Sequence, residues 1–207
     1  MESKDYLSYL VQEIHTVIVA TVDDAGLPVT AAIDMMDADE HGVYFLTAKG
    51  KSFYDRLKKR GALSLTGIKG TDTMHCAALS IRGKARELGS GLLPRLFEKN
   101  PYMKEIYPDE ASRSALTVFV IEEGCGEWFD LSKKPIERDD FAFGGAEGAQ
   151  EGYLVTDACI GCKLCYCKCP QNCIDISSKP VVILQQNCLH CGNCFEICPA
   201  RAIIKRG

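Results

Sequence analysis

The first two thirds of the chain alternate between apolar and polar positions in short stretches, which is typical of β-strands. Thr16 to Val22 is mostly β-branched and leads into a DDAG turn, so it predicts the first strand of a hairpin. Before it, apolar residues recur at helical spacing from Lys4 to Ile14 and predict an opening helix. Further strands are predicted at Pro28 to Asp34, Val43 to Thr47, Ala62 to Gly67, Ala77 to Leu88 and Ala115 to Ile121, with helices at Ser52 to Lys59 and Leu92 to Asn100. Many short strands separated by turns indicate a barrel.

The last quarter of the chain has a different pattern, in which cysteines repeat. The pattern CxxCxxCxxxCP occurs from Cys159 to Pro170 and again from Cys188 to Pro199, at an offset of 188 − 159 = 29 residues. Apolar neighbours repeat at the same offset, as Tyr166 and Phe195 do. This is an internal duplication, and we expect both copies to pack around the groups that the cysteines bind.

The cysteine spacing is typical of iron-sulfur clusters, because three cysteines at three-residue intervals bring three thiolates to one small volume. Zinc is the alternative that CxxC pairs leave open, and a disulfide framework is another. Strict repetition of eight cysteines favours clusters over both. His190 stands where the first copy has Gly161, so we interpret it as a loop residue. Cys167 and Cys173 have no cysteine at the matching position of the second copy, and we interpret them as packing thiols.

The segment from about Glu151 to Gly207 resembles the bacterial ferredoxins that hold two 4Fe-4S clusters. In those ferredoxins the fourth ligand of each cluster comes from the other copy of the motif. The resemblance therefore implies the following ligand sets: Cys159, Cys162, Cys165 and Cys198 for one cluster, and Cys188, Cys191, Cys194 and Cys169 for the other.

Length and composition leave room for a second, larger domain, since the chain has 207 residues and 46% of them are apolar. A Gly and Ala run from Phe141 to Gly152 predicts a flexible linker, and we place the domains at 1–144 and 145–207. The net charge is −4 and no basic run is interleaved with aromatic residues, so nucleic-acid binding is not expected. Neither a signal peptide nor a long apolar segment is visible, so we expect a cytoplasmic protein without membrane contact.

The segment from Leu46 to Ser52, LTAKGKS, lies between a predicted strand and a predicted helix and suits an anion. Ser52 can cap the helix, whose positive end favours negative charge, while nearby lysines and the Thr47 hydroxyl add to the site. The GKS triplet does not make a nucleotide P-loop, because position 45 is Phe where that loop needs glycine. A capped helix with solvated lysines is the alternative.

The opening helix, then HTVIVATVDDAGLPVTAAIDMM and GVYFLTAKGKSFYDRLKKRGALSLTG, resemble the FMN-binding split barrels of the pyridoxamine 5′-phosphate oxidase-like superfamily over about residues 5 to 130. The resemblance implies a mainly β split barrel with flanking helices, a homodimer, and FMN at the dimer interface. It implies these FMN contacts: Thr47, Lys49, Lys51 and Ser52 at the phosphate, Val29, Thr30 and Ala31 along the flavin, and Trp128 from the partner subunit. For Trp128, a buried core position is the alternative. The arginine-rich strand of pyridoxamine 5′-phosphate oxidase itself has no counterpart in VTAAIDMM, so its substrate is not implied.

The two parts together predict a flavin- and iron-sulfur-dependent oxidoreductase. It would move electrons between a small-molecule substrate or a nicotinamide, FMN and two 4Fe-4S clusters. The alternative is a protein that relays electrons between redox partner proteins, or senses redox state, without turnover. His15 and His75 are candidate proton donors, although a lone histidine is often structural, and no catalytic residue is assigned.

Overall fold

The computed structural model describes residues 1–148 and 151–207, and these form two compact units. The first unit comprises Met1–Lys69, Ala78–Glu127 and Phe141–Gly148. The second comprises Gly70–Ala77, Trp128–Asp140 and the described chain from residue 151 onward. The contacts therefore do not divide the chain at one point, and the boundary between residues 144 and 145 stays a prediction.

Twelve strands and seven α-helices are present among the described residues. The strands are β1 Thr16–Val22, β2 Pro28–Asp34, β3 Asp37–Asp39, β4 Gly42–Ala48, β5 Ala62–Gly70, β6 Cys76–Gly89, β7 Leu116–Asp130, β8 Glu137–Phe143, β9 Gly152–Val155, β10 Ile174–Asp175, β11 Val182–Ile183 and β12 Ile203–Arg206. The helices are α1 Ser3–Tyr9, α2 Ser52–Arg60, α3 Leu93–Lys99, α4 Met103–Ile106, α5 Glu110–Arg113, α6 Leu164–Lys168 and α7 Asn193–Glu196. A π-helix covers Leu10–Ile14, and 3₁₀ turns cover Thr73–His75 and Gln185–Asn187. None of the described helices is long and apolar enough to cross a membrane.

Eight strands form one sheet in the order β2-β1-β5-β6-β7-β4-β3, with β8 paired to β7. β1 is antiparallel to β2 and β5, so that Ile18 lies opposite both Ala32 and Thr66. Successive side chains of a strand point to opposite faces. Val17 and Val19 are accordingly in the core at 1% and 0% exposure, whereas Ile18 is 53% exposed. The sheet formed by β1, β2 and β5 thus has one buried face and one open face.

The opening helix differs from its prediction in its last turn. The α-helix ends at Tyr9, and the π-helix continues to Ile14. His15 ends it with φ at 64° and donates its backbone N–H to the Leu10 carbonyl oxygen at 2.8 Å. This hydrogen bond spans five residues, which is the π-helical spacing and is not visible in an apolar pattern.

The predicted linker is wrong at both ends. Phe141 is only 6% exposed, belongs to β8, and stacks on the Tyr6 ring at a centroid distance of 4.6 Å. Gly152 is already the first residue of β9. The aromatic stacking explains why the beginning of the Gly and Ala run is held in a strand. Residues 149 and 150 of this run lie outside the described residues.

The second unit has the pairing that a duplicated sequence predicts. β9 is antiparallel to β12, with Tyr153 opposite Lys205, and β10 is antiparallel to β11. One pair therefore joins the beginning of this segment to the end of the chain. A core of buried residues connects both copies, and it includes Tyr153, Ile174, Val181, Ile183 and Ile203.

A buried ionic network joins β3 and β4 to α3. The Asp37 carboxylate, whose side chain is 5% exposed, accepts hydrogen bonds from Arg95 Nε at 2.6 Å and Lys99 Nζ at 2.5 Å. Arg95 also binds Asp39 at 2.9 Å, and Asp39 accepts from the Tyr44 hydroxyl at 2.8 Å. Burial and this bond to Asp39 raise the pKa of Tyr44 to about 12, so it remains a donor. The network is satisfied as long as every partner is present.

We predict that Asp37→Asn destabilises the protein by about 2–3 kcal/mol, because it leaves two cations facing a neutral buried group. Urea unfolding followed by circular dichroism measures the change. Glu40→Gln is the matched control, since the Glu40 side chain is 81% exposed and should cost less than about 0.5 kcal/mol. Equal effects of the two substitutions would contradict the role given to Asp37.

Candidate functional site

Eight thiols of the second unit line two separate cavities. Cys159, Cys162, Cys165 and Cys198 line one cavity, which we call the first cluster cavity. Cys169, Cys188, Cys191 and Cys194 line the other, the second cluster cavity. These are the two ligand sets that the ferredoxin resemblance implies, with the fourth thiol of each set supplied by the other copy. Four thiols around a cavity suit a cluster, whereas a single zinc ion needs its four ligands within bonding distance of one point, about 2.3 Å from each sulfur.

Backbone amides donate hydrogen bonds to one sulfur of each cavity. Ala202 N–H donates to Cys198 Sγ at 3.3 Å, and His190 N–H donates to Cys188 Sγ at 3.4 Å. Such hydrogen bonds favour thiolate and stabilise added negative charge on a cluster. Burial acts in the opposite direction and raises the pKa of Cys165, and that of Cys194 to about 11.

Cys173, interpreted from the sequence as a packing thiol, is buried in the core as expected, and it is also a fifth thiol at the second cluster cavity. It is 4% exposed, lines that cavity, and its Sγ lies 3.5 Å from Cys169 Sγ. Hydrogen bonding to Cys188, together with burial, raises the pKa of Cys173, so it keeps its proton. The same bond lowers the pKa of Cys188 to about 6. The signal was present in the sequence, because the matching position of the other copy is Ala202.

The other thiol interpreted as packing, Cys167, is exposed, so that interpretation is wrong for it. Its place on the short helix α6 explains the difference. Cys165, two positions earlier, faces the cavity and is 8% exposed, and side chains two apart on a helix point in different directions.

His190 is part of the loop that carries Cys188 and Cys191, as the sequence interpretation has it. Its φ of 55° is in the left-handed region, which aims its N–H at Cys188. Burial lowers the pKa of the imidazole. Among the described residues, His190 Nε2 and Gln185 Oε1 are buried without a hydrogen-bond partner, and both border the Cα of Gly152.

The turn between β4 and α2 contains the residues predicted to bind an anion. Thr47 is 2% exposed, and its hydroxyl has no hydrogen-bond partner among the described residues. Lys49, Lys51 and Ser52 are exposed. The prediction that Ser52 caps the helix is wrong, because Ser52 is the first helical residue and the cap position is Lys51, with no side-chain cap. The first amides of α2 thus lack a side-chain partner at the cap, and a buried hydroxyl lies close by in sequence.

The residues expected along the flavin lie on β2 and β7. Thr30 is exposed on the open face of the sheet, whereas Val29 and Ala31 are half-buried and point to the opposite face. The three side chains therefore cannot line one surface together, although their backbone can. Trp128 is 8% exposed in β7. The role of Val29, Thr30, Ala31 and Trp128 in binding FMN stays a prediction.

His15 is in contact with two other ionisable groups. The Tyr102 hydroxyl donates to Asp34 Oδ2 at 2.8 Å and lies 2.8 Å from His15 Nε2. Because a phenol has one proton, His15 must donate from Nε2. Burial and the bond to Asp34 raise the pKa of Tyr102. His75, the other candidate donor, is exposed, and its Nδ1 lies 2.9 Å from the Asp72 carboxylate.

Comparison with known proteins finds a matching family model for each of the two parts of the chain. The family model described as pyridoxamine 5′-phosphate oxidase matches residues 4–123, more than half of the chain. The chain belongs to the pyridoxamine 5′-phosphate oxidase family. A second model, described as a 4Fe-4S dicluster domain, matches residues 152–199. Together, the flavin-binding family and the 4Fe-4S domain support a redox role in electron transfer.

Two curated relatives each match a quarter of the chain or less. One component of an ion-translocating oxidoreductase complex from Methanosarcina acetivorans is 44% identical over 45 residues, which are 22% of this chain and 17% of that protein. Ferredoxin-1 from Caulobacter vibrioides is 42% identical over 53 residues, which are 25% of this chain and 47% of that protein. The chain thus spans less than half the length of these two relatives.

A solved structure matches the first part. The NimC/NimA family protein from Clostridium acetobutylicum has a TM-score of 0.56 and 14% identity, with 68% of this chain and 92% of that chain covered. At this identity the likeness shows the fold alone. It confirms, with the two family models, the predicted split barrel and the small ferredoxin-like domain.

For protein loaded with iron-sulfur clusters, we predict that Cys173→Ala lowers the reduction potential of a cluster bound at the second cluster cavity by a few tens of millivolts. The physical reason is the loss of one S–H hydrogen bond to a ligand thiolate, worth about 1 kcal/mol. A redox titration followed by electron paramagnetic resonance measures it. Cys167→Ala is the matched control, because Cys167 is exposed and lines neither cavity. If both variants leave the two potentials unchanged, Cys173 is only a packing residue.

Proposed function

We propose that this protein is a flavin- and iron-sulfur-dependent oxidoreductase. It would move electrons between a small-molecule substrate or nicotinamide, FMN and two 4Fe-4S clusters. The observation behind the proposal is that one chain combines two cavities, each lined by the four thiols of one proposed ligand set, with a β4–α2 turn beside the buried Thr47 hydroxyl, which has no hydrogen-bond partner among the described residues. The first feature suits one-electron centres, and the second suits the phosphate of an organic cofactor.

The eight cavity thiols are the proposed cluster ligands. The first set is Cys159, Cys162, Cys165 and Cys198, and the second is Cys188, Cys191, Cys194 and Cys169. A bound 4Fe-4S cluster supplies one-electron transfer. The protein fixes the thiolates and donates N–H groups to two of them, at Cys198 and Cys188. These donors set the potential through the charge they stabilise.

The β4–α2 turn is the proposed phosphate site for FMN. The Thr47 hydroxyl is free to donate, and an unsatisfied buried hydroxyl would otherwise cost about 1–3 kcal/mol. Lys49 and Lys51 add positive charge, and the first amides of α2, beginning at Ser52, point toward the helix N-terminus. The flavin ring, once bound, supplies transfer of a hydride or of single electrons. Its proposed neighbours are Val29, Thr30, Ala31 and Trp128.

The open face of β1, β2 and β5 is the proposed homodimer interface. Its residues are small or β-branched, and they are exposed at Ile18, Thr30, Ala32, Ser64, Thr66 and Ile68. Ile18 and Ile68 are 53% and 65% exposed. Paired strands with exposed isoleucines are an apolar surface that a second copy could cover. This interpretation also agrees with the position of Thr30, which faces outward.

Exposure of the cluster loops favours a second candidate, an electron relay without substrate turnover. Cys162 and Cys191 are exposed, so that both cavities open toward protein partners. The two candidates differ in what reduces the flavin. Bleaching of flavin absorption by NADH or NADPH alone supports the oxidoreductase, whereas reduction only by a protein donor supports the relay. This comparison requires anaerobic, cofactor-loaded protein.

We predict that anaerobically purified protein contains about eight iron, about eight sulfide and about one FMN per chain. Thr47→Val should weaken FMN binding about tenfold or more and leave iron unchanged, because it removes one hydroxyl donor while keeping the shape. Flavin fluorescence titration and iron analysis measure both. The control is Thr73→Val, which changes an exposed threonine of a turn. Iron without flavin in the wild-type protein would refute the FMN part, and full FMN affinity of Thr47→Val would refute the phosphate site.

We predict that the protein is a dimer and that Ile18→Asp makes it a monomer, because the substitution buries a carboxylate in the interface. Size-exclusion chromatography with light scattering measures the mass. Leu27→Asp is the matched control, since Leu27 is 62% exposed and lies in the β1–β2 turn rather than on the open face. A monomeric wild type, or a dimeric Ile18→Asp, would show that the interface lies elsewhere or is absent.

A further inference from the structure

The duplicated cluster loops can be compared position by position, because both copies have the same cysteine spacing. The proposed ligand cysteines stand at matching positions of the two copies, whereas residues between them differ. The first copy has Lys163 and Lys168 where the second has Gly192 and Ile197. In addition, the side chain of Lys179 lies beside Gly161 of the first loop. Three lysines therefore lie at the first loop. The second loop has other positive neighbours, Arg138 and Arg206, which act electrostatically on His190.

Apolar side chains are exposed on the same loop. Ile160 is 59% exposed, Leu164 is 44% and Tyr166 is 37%. Ile160, Lys163 and Leu164 also line the first cluster cavity. At the positions that match Ile160 and Leu164, the second copy has half-buried Leu189 and polar Asn193. Exposed apolar groups beside a positive rim are typical of an interaction surface.

The three lysines at this loop form no ion pair with any residue that the structure describes. All three are exposed, and in the described chain none of Lys163, Lys168 and Lys179 forms an ion pair. The second copy has an acidic residue, Glu196, at the position that matches Cys167. The matching positions of the two loops thus differ in charge, with two lysines in the first copy and one glutamate in the second.

We propose that this surface, formed by Ile160, Lys163, Leu164, Tyr166, Lys168 and Lys179 and called here the basic face, binds an acidic electron-carrier protein. The proposal rests on the iron-sulfur part of the proposed function, since the surface adjoins the first cluster cavity. Charge complementarity selects the partner, because a positive rim attracts an acidic surface and repels a basic one. The apolar residues at its centre would be covered on docking, and their place at the cavity wall brings the partner close to the first set of thiols.

A purified acidic flavodoxin is the probe, titrated calorimetrically into cluster-loaded protein under anaerobic conditions. We expect binding at low ionic strength that weakens strongly at about 0.15 M salt, where the screening length falls to about 8 Å. The double variant Lys163→Glu/Lys168→Glu should raise the Kd about tenfold or more. Tyr166→Ala should also weaken binding, with the salt dependence unchanged, because it removes apolar contact alone.

Lys104→Glu/Lys133→Glu is the matched control, because it changes the net charge equally at two exposed lysines that line neither cavity. Equal weakening by both double variants would refute a localised surface, and so would binding that is independent of salt. If Lys163→Glu/Lys168→Glu abolishes self-association instead of carrier binding, the partner is a second copy and the proposal is wrong. Measuring the iron and flavin content of every variant distinguishes a failure of the basic face from a failure of the proposed function. Full cofactor content without carrier binding refutes the basic face only, whereas loss of iron from the wild type refutes the proposed function.

Discussion

The requirement that four thiols surround each cavity determines the arrangement of the second unit. The spacing within one copy provides three thiols, and the fourth must come from the other copy, Cys198 for the first cavity and Cys169 for the second. Neither copy can therefore complete a site alone. The antiparallel pairing of β9 with β12 also connects distant parts of this unit, because it holds the beginning of the segment against the last residues of the chain. A segment of under about sixty residues with little core depends on such cross-connections for its stability.

The same constraint explains why backbone conformation is unusual beside the cysteines. Lys163 and His190 adopt positive φ at 62° and 55°, as do Gly161 and Gly192 at 74° and 82°. A tight loop that aims three sulfurs inward needs such residues, and non-glycine residues there cost conformational energy. At His190 the unfavourable backbone conformation allows a hydrogen bond, because the loop directs the His190 N–H to Cys188 Sγ.

The sequence predicted most where a single pattern determines the structure. The strands Thr16–Val22 and Pro28–Asp34 have the predicted bounds, because a β-branched run and a DDAG turn leave one possible register. The eight cysteines that repetition identifies line two cavities in the two expected groups of four, while their role as cluster ligands stays a prediction. Prediction from the sequence was weakest for features that depend on tertiary contacts. β8 has the sequence ERDDFAF, whose place beside β7 in the sheet depends on tertiary contacts such as the packing of Phe141 on Tyr6. Likewise, the missing partner of Thr47 depends on which groups surround its hydroxyl, and no local pattern contains that information.

The two copies differ from each other in the groups that would act on a bound cluster. The second cavity has the additional S–H donor of Cys173, at a buried position, whereas the first has exposed lysines nearby. The S–H group of Cys173 and the lysines would both stabilise the negative charge of an added electron, but the two effects differ in strength. A hydrogen bond in a buried site acts at contact distance with little screening, while exposed charges are screened by salt within about 8 Å. Under the proposed function, the second set of thiols would hold the cluster of higher potential, and the lysines near the first set would act mainly on the encounter with a partner. A one-electron carrier that docks at the first loop would then deliver its electron toward the second, downhill in free energy.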